Sequence, residues 1–75
     1  MKSVLSMIMD IHAIIHHRTY HTGLRGIPSG ELFARLAAGG VDIETYNRLI
    51  QFMKDQAIIK EENYLLSSTI PDLEN

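Results

Sequence analysis

The chain is predicted to be mainly α with a small β-hairpin, three helices followed by two short strands. Three observations predict this. Apolar residues recur every three or four positions in three separate stretches, the spacing of a helix with one buried face. Glycine and proline gather between those stretches, at residues 23 to 30 and at Gly39-Gly40, and interrupt them. Beyond Gln56 the helical period gives way to short runs rich in β-prone residues.

The first helix is expected from Ser3 to about Arg18. Val4, Met7, Ile8, Ile11, Ile14 and Ile15 fall within roughly a third of its circumference and form the main apolar stripe. Leu5 and Met9 lie off that stripe beside His12 and His16, a second and weaker edge free to meet another part of the chain or another subunit. Residues 19 to 30 hold three of the five glycines and Pro28, and read as a loop. Pro28 suits a helix start, with Ser29 as the candidate cap. The second helix then covers Ser29 to Ala38, burying Leu32, Phe33 and Leu36, and Gly39-Gly40 ends it.

Asp42 is the expected N-cap of the third helix, and Glu44 sits in its first turn, where the helix dipole favours a carboxylate. Its inner face is Ile43, Tyr46, Leu49, Ile50 and Met53, and the period lasts to about Gln56. Residues 57 to 61 and 64 to 67 then form the hairpin strands, turning around Glu62-Asn63. Residues 68 to 75 are polar, contain Pro71 and two acids, and read as a frayed tail. The domain is therefore expected to span residues 1 to 67.

Seventy-five residues allow one small domain, and the chain has no cysteine to staple it. The hydrophobic core must suffice, or a second subunit must add burial. Charge divides unevenly. Residues 1 to 30 carry Lys2, Arg18 and Arg25 against Asp10, together with all four histidines, whereas residues 31 to 75 carry four basic residues against eight acids. Without the acidic tail, seven bases balance seven acids. A neutral body of this kind disfavours strong non-specific binding to nucleic acid and makes any such binding depend on one face.

The order of helix, loop with Gly26-Ile27-Pro28-Ser29, helix, Gly39-Gly40 turn, helix and hairpin resembles the winged helix-turn-helix superfamily over residues 3 to 67. Residues 27 to 32 look like that family's start of helix two, and residues 55 to 61 like its exit from helix three into the wing. The resemblance implies that Gly26-Ile27 pairs with the hairpin. It also implies a small bacterial or phage protein that binds double-stranded DNA and regulates transcription, with helix three in the major groove. Asn47, Arg48, Gln51 and Lys54 are then the candidate DNA contacts, joined by Arg25 from the basic first third. The residue types fit, since Arg forks onto guanine, Asn and Gln onto adenine, and Lys meets phosphate.

The alternative is a winged-helix module that binds protein and not DNA. Glu44 and Asp55 share the helix-three face, and Glu61-Glu62-Asn63 makes the wing tip acidic where phosphate would be met. Leu5, Met9, His12 and His16 are the candidate contacts for a homodimer or a protein partner. The histidines His12, His16, His17 and His21 include i, i+4 pairs that suit zinc, but no further ligand completes a tetrahedral set, so no metal or other cofactor is expected. With Arg18 and Arg25 they form a weakly basic, pH-sensitive patch. No nucleophile elbow, phosphate loop or cysteine nucleophile occurs, so no enzyme is expected. The apolar stretch Val4 to Ile15 is interrupted by Asp10 and His12 and is too short to span a bilayer, so the expected location is the cytoplasm.

Overall fold

Ser3 starts the first helix. Its hydroxyl accepts the Ser6 N–H at 3.0 Å, and helix α1 runs from Val4 to His21 in a computed structural model that describes residues 3–72. The helix continues three residues past the expected Arg18. Arg18 and His21 in its last turn oppose the negative end of the dipole, and Tyr20 is anchored from outside, its hydroxyl donating to the Ile70 carbonyl at 2.9 Å.

Strand β1 (Ile27–Pro28) follows the loop, and α2 (Ser29–Ala38) begins at once. Ser29 does not cap it. Its hydroxyl lies 2.7 Å from the Tyr46 hydroxyl, which also donates to the Ser29 carbonyl and so ties the start of α2 to the third helix. At the other end Gly40 (φ +99°) makes the left-handed turn that returns the Val41 N–H to the Leu36 carbonyl. Helix α3 (Ile43–Asp55) starts as expected at Asp42, whose carboxylate accepts the Thr45 N–H at 2.8 Å. Hydrogen bonding by Thr45, through its side chain first and its N–H second, holds the Asp42 carboxyl below its ordinary value.

Strands β2 (Ile59–Glu62) and β3 (Leu65–Ser68) complete a three-stranded antiparallel sheet in the order β1-β3-β2. The hairpin reverses one residue later than expected, at Asn63-Tyr64, where both residues have positive φ and Glu62 faces Leu65. Both strands therefore lie one or two residues further along than their sequence boundaries. On the opposite edge of β3, Ile27 pairs with Leu66. A Cβ on the preceding Gly26 would lie 2.5 Å from the Leu66 carbonyl oxygen, so only glycine lets the loop approach β3 this closely.

The core gathers Ile11 and Ile15 of α1, Ile27, Leu32, the inner face of α3, Ile59 and Leu66. Ile43 is not part of it, being 53% exposed at the first position of α3. The expected frayed tail begins differently as well. Ser68 is the last residue of β3 and is buried, and residues 69 to 72 run on over α1; residues 73 to 75 of the expected tail lie outside the described residues. No helix among the described residues is long and apolar enough to cross a membrane.

Candidate interaction surfaces

The outward face of α3 carries the four residues proposed for DNA contact, and three of them have their polar groups matched within the chain. Arg48 Nη2 lies 3.1 Å from Glu44 Oε1, one helical turn back, with both side chains largely exposed. Gln51 donates to Asp55 Oδ1 at 2.9 Å. Lys54 reaches across to the hairpin, where its ammonium lies 2.6 Å from Glu61 Oε1. Next along β2, Lys60 faces Glu62 at 3.4 Å. Asn47 is exposed. Arg25 sits away from α3 in sequence, exposed at positive φ in the loop after α1, and makes no ion pair among the described residues.

The second surface is the histidine side of α1. His12 Nε2 and His16 Nδ1 lie 3.1 and 3.0 Å from one hydroxyl, that of Ser68. Thr19 joins them, accepting the Ser68 N–H at 3.0 Å and donating to the Ile15 carbonyl at 2.7 Å. Beyond β3, the Asp72 carboxylate enters between two imidazoles, Oδ1 at 3.7 Å from His16 Nε2 and Oδ2 at 3.1 Å from His21 Nε2, with its side chain only 4% exposed. A carboxylate beside His16 Nε2 favours the proton on that nitrogen, so Nδ1 is assigned as the acceptor of the Ser68 hydroxyl proton. Ser68 Oγ then accepts from His12 Nε2 and from the Ile70 N–H at 3.2 Å. No buried side-chain polar atom among the described residues is left without a partner, and most of these contacts join α1 to a segment about fifty residues further along the chain. Burial, and second the repulsion that a protonated His16 would exert, lower the pKa of His12.

The dimer candidates thus divide into two kinds. His12 and His16 are half-buried and serve the chain's own C-terminal segment, whereas Leu5 and Met9 are 67% and 63% exposed. His17 and His21 stack on each other at 5.4 Å. Among the described residues no group of three histidine or acidic side chains is arranged to hold a metal ion.

The third surface is apolar and open. Val4, Met7 and Ile8 of α1 face Leu49 and Phe52 of α3 across a groove rimmed by Thr45 and Arg48. On the other flank of α1 a larger depression is lined by Met7, Ile11, Ile14, Leu36 and Val41, with Asp10 and Arg35 as its charged members.

Compared with known proteins, the chain matches no protein-family model, no curated protein and no solved structure.

Sequence reasoning had no view of Ser68, Thr19, Tyr20 or Asp72. The only available signal was that His12, His16 and Thr19 or Tyr20 recur at helical spacing on one edge, a polar line that needs a polar partner. Nothing local names that partner, because it lies some fifty residues along the chain.

Proposed function

We propose that this chain is a winged-helix-type domain that works by binding protein and not duplex DNA. The winged-helix part of the reading is supported by the short strand before α2, the tight α2–α3 turn and the β1-β3-β2 sheet order. One observation carries the protein-binding part: Arg48 and Lys54, the cations of the α3 face, each face a carboxylate of the same surface, with the acidic β2 strand beside them. Phosphate approaching there would meet Glu44, Asp55, Glu61 and Glu62 together with the cations, and the counterion release that drives DNA binding would be small.

Exposed ion pairs are individually weak, about 0–1 kcal/mol, so Arg48 is free to leave Glu44 if a stronger partner arrives. Direct measurement is therefore decisive. Fluorescence anisotropy of the folded chain against a random duplex pool at low salt should show no binding with a steep salt dependence. Tight, salt-sensitive binding lost in Arg48→Ala and Lys54→Ala would overturn the reading in favour of DNA recognition by α3.

A further inference from the structure

We infer that a second copy of this chain docks on the N-terminal half of α1, in the groove that α1 forms with α3; the inference rests on the protein-binding reading above. Of the six residues Val4 to Met9, only Ser6 is not apolar. At about 100° per residue those five apolar side chains cover more than half of the helix circumference, a pattern that calls for cover on two sides. The single chain supplies one. Met7 and Ile8 are half-buried in the groove, whereas Val4, Leu5 and Met9 are 60%, 67% and 63% exposed, and Phe52 on the far wall is 47% exposed. The first fully buried residue of α1 is Ile11.

The occupant follows from complementarity. The chain carries both parts of a contact, an apolar ridge at Leu5 and Met9, one turn apart, and an apolar groove walled by Val4, Ile8 and Phe52. A two-fold axis places the ridge of each copy in the groove of the other, so one surface satisfies both sides. The charged residues at this groove are Arg48, which lines it, and its ion-pair partner Glu44, one of each sign. A surface of one sign would repel its own copy, and this one does not. The exposed parts of Val4, Leu5, Met9 and Phe52 amount to roughly 400 Å² per copy, which with a polar rim brings two copies near the ~1,000 Å² at which specific interfaces begin. Methionine at the ridge adapts to such a contact without fixed geometry. The association is accordingly expected in the ~micromolar range.

Sedimentation equilibrium of the full chain over a wide concentration range tests this. The expected result is a reversible monomer–dimer equilibrium that Leu5→Glu and Met9→Glu each weaken at least about tenfold, because the two-fold brings every added charge into the apolar contact twice. Both residues are exposed in the monomer, so circular dichroism should show an unchanged fold. Tyr64→Ser, at the hairpin turn, should leave association as it was. Since the chain has no cysteine, an equimolar mixture of Met9→Cys and Phe52→Cys should form the mixed disulfide in preference to random pairs. A monomer at every concentration up to about 1 mM, or a dimer that Tyr64→Ser weakens and Leu5→Glu does not, overturns the inference. Neither result touches the protein-binding reading, which only duplex binding would overturn.

Discussion

The two halves of helix α1 contrast more sharply than any two elements of the molecule. Its first two turns are almost wholly apolar and largely uncovered, whereas its last three carry four histidines and are covered by β3 and the segment after it. Composition would assign burial the other way. What decides burial is reach: β3 ends at Ser68, and the chain continues over the C-terminal half of α1 to Asp72. The N-terminal half lies beside α3 and the turn after α2, which leave Val4, Leu5 and Met9 open. Polar side chains become buried where every hydrogen bond finds a partner, and apolar ones stay exposed where no further chain is at hand.

The largest test of this contrast compares Ile15→Ala with Val4→Ala. Ile15 is fully buried, and its truncation should cost about 3–4 kcal/mol in denaturant unfolding, whereas Val4→Ala in dilute, monomeric protein should cost less than ~1 kcal/mol. Equal costs would mean that the first turns are held as firmly as the last. Next comes Gly26→Ala, which forces a side chain against the Leu66 carbonyl and disturbs the sheet on which the covered half of α1 rests. The expected loss is about 2–3 kcal/mol, read from thermal unfolding.

Ser68→Ala should cost about 1–2 kcal/mol, since it leaves His12 and His16 without their shared hydroxyl while the backbone pairing of β3 remains. Hydrogen exchange should then quicken at residues 69 to 72 and not at the start of α1. A smaller effect is expected from pH. The pKa of His12 is lowered in the fold from its ordinary 6.5, so the unfolded chain takes up that proton first. The stability contributed by neutral His12 is complete above about pH 6.5 and declines as pH falls through that value. His12→Gln should flatten this decline in unfolding experiments between about pH 8 and 5; a slope unchanged by the substitution would remove His12 as its source.

Much of the helical framework was legible because its causes are local. Asp42 caps α3 with its own side chain, Gly40 supplies the turn after α2, and the 3.6-residue period selects Tyr46, Leu49, Ile50 and Met53 for the core. The structure departs from these local signals at three points. Ser29 stands where a cap is expected, but Tyr46 claims its hydroxyl. Ile43 matched the period, yet it sits at the very start of α3 and stays exposed. The hairpin boundary moved by one residue because Asn63 and Tyr64 together take the positive φ values of the turn, a choice that an Asn-Gly pair would have announced.

The surfaces divide in the same way. The sequence by itself determined which residues share the outer face of α3, that acids are interleaved with its cations, and that Leu5, Met9, His12 and His16 share one edge of α1. Helical geometry is a property of neighbours, and neighbours are what a sequence records. Only the tertiary structure decided that Lys54 meets Glu61, that His12 and His16 close on Ser68 while Leu5 and Met9 remain open, and that Asp72 lies between two imidazoles. Those contacts join residues from seven to more than fifty positions apart, and their formation depends on where β3 lies against α1, a result of packing the whole core at once.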